Sequence, residues 1–401
     1  MYNYYFFNGL RAMIKKIEEM SAETPIEITW FGNGRDVILV NEALKEKNVR
    51  TMVKYIIDND STKWGSEMGE VYDLSYYQNF FDMENREKVY IHSPKEIIEN
   101  NENMYFVIIS KYSDSMKKQL LSYGIREERL LIIDREKWLS QQTEIKDKIS
   151  KGTKIDLRQR QMVEVGIMKE FHRFCHQEGL KYYLSSGSLL GAVRHKGFIP
   201  WDDDMDVYMP YEDYIRFMKT YPKTGRYQAL SWEICDKYFL PFGKITDTET
   251  MVFHDFYPLF ECNGLYIDIF PLGGYDPEHQ PEEFWERNKE LEKQWVQYYC
   301  IRDIFGDRIP DIRPDIYKER YEFSYYESEM VGARHLIPKI AQWCVPRKIY
   351  ENTVEVEFEK EMFDAPQGWD ELLKVRYGDY MKLPPKEQQH GHYFDAYILN
   401  D

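Results

Sequence analysis

Residues 185–207 read Ser-Ser-Gly-Ser-Leu-Leu-Gly-Ala-Val-Arg-His-Lys-Gly-Phe-Ile-Pro-Trp-Asp-Asp-Asp-Met-Asp-Val, and no other stretch restricts the chain as tightly. Four aspartates, Asp202, Asp203, Asp204 and Asp206, fall within five positions and run into a strand-like Val-Tyr-Met. Carboxylates at that density repel one another, and a fold tolerates them where a cation binds. The Gly187-Ser188 turn opens a short helix whose N-terminal N–H groups suit a phosphate. The segment suggests a divalent metal holding a phosphate.

The spacing sharpens this reading. Asp204, Met205, Asp206 and Val207 alternate, so a strand here turns both carboxylates to one face. Ser188 precedes Asp204 by 16 residues, room for one short helix and a returning loop. A Gly-Ser turn, a spacer and Asp-x-Asp on a strand resemble the arrangement of the nucleotidyltransferase superfamily, in which a third carboxylate joins from a later strand. Leu265-Tyr-Ile-Asp-Ile-Phe-Pro-Leu272 offers Asp268, alone in an apolar run. The blander reading of Asp268 is a strand-end carboxylate facing water, and the motif upstream weighs against it.

The block from Gly187 to Asp206 closely resembles the signature of the LicD family, which includes fukutin-related proteins. Lys244-Ile-Thr-Asp-Thr248, Tyr266-Ile-Asp-Ile-Phe-Pro-Leu272 and Arg376-Tyr-Gly-Asp-Tyr-Met-Lys-Leu-Pro-Pro385 are similar to later family blocks in the same order. The resemblance runs from about Asp156 to His392. Met205 and Tyr208 stand where the family often carries other apolar residues, at no chemical cost.

The resemblance implies a metal-dependent transferase that moves a phospho-alcohol, first among them phosphocholine. The donor would be a CDP-alcohol such as CDP-choline, and CMP would leave. The acceptor would be a sugar hydroxyl of a cell-surface glycan or lipid-linked sugar, of the lipopolysaccharide or teichoic-acid kind. Asp204, Asp206 and Asp268 would hold Mg²⁺ or Mn²⁺, since hard oxygen ligands select such ions. Asp268 would also accept the acceptor hydroxyl's proton, directly or through water. Gly187, Ser188, Arg194, His195, Lys196 and Lys244 are the phosphate-binding candidates, with a solvated turn as the alternative for His195 and Lys196. Asp203 reads as a supporting or solvated carboxylate, and Asp202 stays open between that and the site. Trp201 is placed to stack on a base or sugar, and a trimethylammonium group would favour such aromatic walls. The terminal block suggests a tail carrying His390 and His392 folded back over the site, with a disordered tail as the alternative.

Two domains are the default for 401 residues. The expected fold is an α/β, Rossmann-like domain over residues 1–140, then an α+β, nucleotidyltransferase-fold catalytic domain over 151–401 with helical C-terminal additions. In the first part, a helix over 8–20, strands over 26–31 and 51–57 around a helix over 37–47, and a later strand–helix–strand over 105–134 alternate as βαβ units do. Gly32 and Gly34 form a weak glycine motif, because Val37 stands where a third glycine would be expected, and Asp58 is the candidate ribose ligand. A scaffold that binds no nucleotide is the better reading. Lys137–Thr153 is polar and reads as the linker.

Residues 156–178 follow as one helix ended by Gly179. His172 and His176 lie four apart on it, a spacing that can hold a metal, although a solvated pair is the better reading. Pro210 starts another helix whose Tyr211, Tyr214 and Phe217 face a sheet. Residues 282–300 and 311–363 read as further helix, the latter broken at Pro338 and Pro346, in a cap or acceptor-binding layer.

Net charge is −16, which disfavours nucleic acid as a partner. Cys175, Cys235, Cys262, Cys300 and Cys344 are scattered and odd in number, which fits reduced thiols in the cytoplasm. No signal peptide and no apolar run near the ~20 residues of a membrane span is visible, so membrane contact would be peripheral. Two other classes compete. An NTP-dependent nucleotidyltransferase releasing pyrophosphate would satisfy the Gly-Ser and Asp-x-Asp core alone. A non-catalytic relic is opposed by three intact carboxylates.

Overall fold

Short runs rich in Ile, Val and Phe, bounded by polar turns, are what parallel strands covered on both faces require. The computed structural model describes residues 4–32, 34–74, 77, 80–100, 104–109, 112–133, 150–235, 238, 240–253, 264–276, 298, 301–302, 304–333, 344–391 and 395–399. It divides into two compact units. The first comprises Met1–Lys146 with Phe256–Pro258 and Lys293–Asp311. Its sheet holds β1 (Ile28–Phe31), β2 (Val53–Ile57), β3 (Tyr90–His92), β4 (Tyr105–Ile109) and β5 (Leu130–Ile133). The order is β3-β2-β1-β4-β5, and every pairing is parallel. The helices are α1 (Tyr4–Met20), α2 (Val37–Glu46), α3 (Met68–Val71), α4 (Pro94–Asn100) and α5 (Ser113–Ser122). Ile28, Trp30, Val53, Ile56, Phe106 and Ile108 are buried in its core.

The elements expected from sequence agree with these to within a few residues, and the structure adds α3, β3 and α4, which the sequence pattern does not announce. β3 is three residues long, follows a charged stretch and meets Pro94 at once, so it carries no readable period. The chain order also differs from the spatial division, because residues 304–311 belong with this unit. The ring of Phe305 lies 5.3 Å from that of Phe81.

The weak glycine motif has a local explanation. Gly32 holds φ +102°, and a Cβ at Gly34 would meet Ile56 Cδ1 at 2.3 Å. Asp58 is engaged by its own loop: Lys63 Nζ lies 2.9 Å from its Oδ2, and the Asp60 N–H donates to its Oδ1 at 2.9 Å.

The second unit comprises Asp147–Asp255, Leu259–Glu292 and Ile312–Asp401. Its strands are β6 (Thr153–Ile155), β7 (Tyr183–Leu184), β8 (Met205–Pro210), β9 (Tyr227–Leu230), β10 (Gly243–Asp247), β11 (Thr250–Phe253), β12 (Tyr266–Tyr275), β13 (Met330–Ala333), β14 (Val345–Pro346), β15 (Thr353–Phe358), β16 (Glu361–Pro366) and β17 (Asp395–Ile398). Its helices are α6 (Leu157–Glu178), α7 (Ser186–His195), α8 (Tyr211–Thr220), α9 (Arg313–Arg320) and α10 (Trp369–Tyr377). A seven-stranded sheet forms the centre: β12 pairs in parallel with β8 and antiparallel with β10 and β13, and β7, β9 and β14 add outside these.

Helix α6 starts at an Asp156–Gln159 capping box and stops at Gly179, whose φ of +63° is the left-handed cap. Such an N-cap contributes about 1 kcal/mol. Its buried stripe, Val165, Ile167, Met168, Phe171 and Phe174, joins Tyr214 and Phe217 of α8 in one core.

One expectation fails. Residues 311–363 are not mainly helix: after α9 come β13, β14 and the β15–β16 hairpin. Thr353-Val-Glu-Val-Glu-Phe358 alternates with period two, the pattern of a half-covered strand, and that outweighs the helix propensity of its glutamates. Nearly all of the expected helix over 282–300, most of the linker, Pro338, Cys262, Cys300 and His392 lie outside the described residues. Among the described residues, no helix is long and apolar enough to cross a membrane.

Candidate active site

Strand register assembles the site. β8 and β12 pair so that Asp206 stands opposite Asp268, and β12 and β10 pair so that Asp268 stands opposite Lys244. Residues paired across a sheet share a face, so Lys244, Asp268 and Asp206 form one row over three strands. Asp204 lies two positions before Asp206, on the same face. Ligand oxygens of Asp204, Asp206 and Asp268 lie within 4.8 Å of one another. Lys244 Nζ is 2.6 Å from Asp268 Oδ1 and 3.1 Å from the centroid of the Tyr266 ring.

Charge is the dominant feature of this row. At an effective dielectric of about 20, two carboxylates 4.8 Å apart repel by about 3.5 kcal/mol. Three such pairs approach the whole stability of a domain, roughly 5–15 kcal/mol. Burial first, then the charges of Asp204, Asp268 and Asp202, push the Asp206 carboxyl well above the usual carboxylate range. Burial lowers the Lys244 ammonium from the ordinary lysine value, against the opposing pull of Asp268. One lysine cannot neutralise three carboxylates. A hard divalent cation would, and the all-oxygen donor set fits Mg²⁺ or Mn²⁺.

The turn into α7 fixes the row's other wall. Ser186 holds a φ of +47°, unusual outside glycine, at this sharp strand-to-helix turn. The Ser188 hydroxyl is buried and accepts the Asp206 N–H at 2.8 Å, while the Ser185 N–H donates to the Asp206 carbonyl at 3.0 Å. Ser188 therefore braces the start of β8. Gly187 leaves room for the Asp202 carboxylate: a Cβ there would stand 2.4 Å from Oδ2. That carboxylate lies against the first turn of α7, where the helix dipole favours an anion.

The cations divide. Lys244 joins the carboxylates. Arg194 is turned elsewhere: its NH1 donates to the Tyr380 carbonyl at 2.8 Å and its Nε to His195 Nε2 at 2.9 Å. Burial, then the Arg194 charge, lowers the His195 pKa. Lys196 takes the left-handed C-cap of α7, and its carbonyl accepts the Glu359 N–H. Trp201 is partly buried against the core. The tail does fold back here: a Cβ on Gly391 would meet Asp203 Oδ1 at 2.7 Å and the Trp201 carbonyl at 2.8 Å. Beyond it, β17 pairs with β11 and β6.

Further residues join the site, of which the sequence motifs mark Arg376 only as the start of a family-like block and Arg160, Gln161 and Glu164 not at all. Arg376 from α10 stacks over the Tyr208 ring at 4.8 Å, and its NH1 reaches 3.5 Å from the Ser186 hydroxyl. Arg160 NH1 lies 3.7 Å from Asp203 Oδ2, and Gln161 Nε2 donates to the Asp202 carbonyl at 2.8 Å. Asp203 is thus a supporting carboxylate, paired and 1% exposed. Glu164 is also 1% exposed, and its Oε2 has no hydrogen-bond partner. The signal was present: positions 160 and 164 extend the buried stripe 167, 171, 174 at helical spacing, and polar residues on such a stripe need polar neighbours.

Burial, then the charges of Asp204 and Asp203, raise the Glu164 carboxyl well above its ordinary value. A carboxyl raised in the folded state favours folding below its unfolded pKa, and that contribution is lost as pH rises through the folded value. In EDTA, Glu164→Gln should therefore match the wild-type Tm near about pH 4 and exceed it at about pH 8. A variant less stable than wild type at the higher pH would contradict this electrostatic picture.

The family pattern described as "LicD/FKTN/FKRP, nucleotidyltransferase domain" matches residues 179–310. The chain is similar to the lipopolysaccharide cholinephosphotransferase LicD of Haemophilus influenzae, 28% identical over 274 residues, which span 61% of this chain and 99% of that protein. The uncharacterized protein RT0683 of Rickettsia typhi is 36% identical over 131 residues, 28% of this chain and 41% of its own. Human ribitol 5-phosphate transferase FKRP is 54% identical over 35 residues, 9% of this chain and 7% of its own.

Proposed function

From the premise that this chain belongs to the LicD family of transferases, we propose that it transfers a phospho-alcohol, with phosphocholine the first candidate, from a CDP-alcohol to a sugar hydroxyl of a cell-surface glycan. The observation that carries the reading is the Lys244–Asp268–Asp206 row with Asp204 beside it, facing the N-terminus of α7. The similarity to a cholinephosphotransferase along that protein's whole length supports the choice of group.

In the proposed reaction the acceptor oxygen attacks the phosphorus that bears the alcohol. The bond from that phosphorus to the bridging oxygen breaks, and CMP leaves with the electron pair. Asp268 takes the acceptor hydroxyl's proton, directly or through water. Asp204, Asp206 and Asp268 would hold Mg²⁺ or Mn²⁺, which supplies positive charge for the pyrophosphate and the departing CMP. Lys244 sets the charge and position of Asp268 through their ion pair. The backbone N–H groups at the start of α7 orient a phosphate, with the Arg376 guanidinium behind them.

The parallel order β3-β2-β1-β4-β5 supports a Rossmann-like reading of the first unit, and the second is read as a nucleotidyltransferase fold with mixed additions. With Asp58 held by its own loop, the first unit is proposed to position the enzyme or its acceptor in the cytoplasm and to bind no dinucleotide. A panel of CDP-alcohols incubated with Mg²⁺ and acceptor glycan should yield CMP. Pyrophosphate from CTP or another NTP would instead favour the nucleotidyltransferase alternative.

A further inference from the structure

A second cluster of metal-ligating side chains lies on the opposite half of α6. His172 and His176, one turn apart, have ring centroids 4.0 Å from each other. His176 Nε2 lies 3.0 Å from Oδ2 of Asp364, which β16 brings in from 188 residues away. One ligand atom from each of the three lies within 4.8 Å of the other two. Tyr182, fully buried, ties the set together: its hydroxyl accepts the Asp364 N–H at 3.1 Å and lies 2.6 Å from His172 Nδ1. Glu355 stands opposite Asp364 in the hairpin register, on the same face, with its side chain exposed.

We propose that His172, His176 and Asp364 form a Zn²⁺ site, with water completing the coordination, that clamps the β15–β16 hairpin onto α6. Two imidazoles and a carboxylate are a borderline donor set that prefers Zn²⁺ to Mg²⁺, unlike the all-oxygen row. The hydroxyl of Tyr182 against His172 Nδ1 leaves Nε2 for the metal and orients the ring, as partners of metal-bound histidines do.

The clamp would matter beyond itself. Lys169 of α6 pairs with Glu361 of the hairpin at 2.7 Å. At the hairpin's turn Glu359 receives Arg158, and its Oε1 accepts the Phe198 N–H at 3.2 Å. The hairpin therefore braces the loop between α7 and the acidic segment.

The test is a Zn²⁺ titration of the metal-free full-length chain, followed by thermal melting and by metal analysis after gel filtration. At about a hundredfold excess over Kd, Zn²⁺ should raise Tm by roughly 5 °C. Co²⁺ in its place should give the visible absorption of a low-coordinate nitrogen–oxygen site. His176→Gln, at a half-exposed position, should remove the Tm increment and the retained ion. Tyr182→Phe should weaken Zn²⁺ binding about tenfold. Asp206→Asn should keep both the increment and the ion. No retained Zn²⁺ in wild type, or an increment that survives His176→Gln and vanishes in Asp206→Asn, would overturn the site. The cluster would then be an ordinary histidine–aspartate ion pair.

Discussion

Asp206→Asn is expected to abolish turnover while leaving the chain folded. The substitution keeps both backbone hydrogen bonds that fix Asp206, the N–H to Ser188 and the carbonyl from Ser185. It removes a carboxylate that burial and three like-charged neighbours already oppose. Melting in EDTA should therefore show a Tm equal to or above wild type. Turnover should fall by about a thousandfold, the cost of losing roughly 4 kcal/mol of charge stabilisation at the transferring phosphate. Wild-type activity should require Mg²⁺ or Mn²⁺ and disappear in EDTA. A folded Asp206→Asn enzyme with undiminished turnover would remove the carboxylate row from the mechanism.

Gly187→Ala should give the second largest loss. Gly187 sits in the first turn of a helix, where alanine suits the backbone better than glycine does. Circular dichroism and Tm should stay close to wild type. Its new methyl carbon, however, would stand 2.4 Å from Asp202 Oδ2, so that carboxylate must move. The space between the start of α7 and the acidic row narrows at the point assigned to a phosphate. A displacement of about 1 Å in such a site can cost roughly a hundredfold in kcat/KM. Unchanged kinetics would mean that the phosphate does not approach this turn.

The acidic row was legible because its information is local. Alternation fixes the common face of Asp204 and Asp206, and a lone aspartate in the apolar run of β12 announces Asp268. What escaped depends on contacts between distant parts of the chain. Arg194 looks like a phosphate ligand beside His195 and Lys196, yet the carbonyl of Tyr380, 186 residues later, takes its guanidinium. Lys244 beside Asp268 follows only from the pairing of β10 with β12, which no spacing reveals. Arg160 and Gln161 find their partners, Asp203 and the Asp202 carbonyl, some 40 residues further along the chain, so helical spacing marks them as buried without naming what they meet. The hairpin was misread although its period was visible, because a glutamate-rich stretch near helices invites helix. His172 and His176 illustrate the same limit: their third partner, Asp364, arrives on that hairpin.

In the proposed transfer, phosphorus leaves the nucleotide together with the alcohol. This route is tested most directly by following labelled phosphorus from CDP-choline into products in the presence of Mg²⁺ and an acceptor glycan. In the proposed reaction, label placed in the phosphate that bears choline appears on the glycan, and label in the phosphate that bears cytidine appears only in CMP. Label from the cytidine-bearing phosphate on the glycan, or a turnover that consumes CTP and releases pyrophosphate, would contradict it.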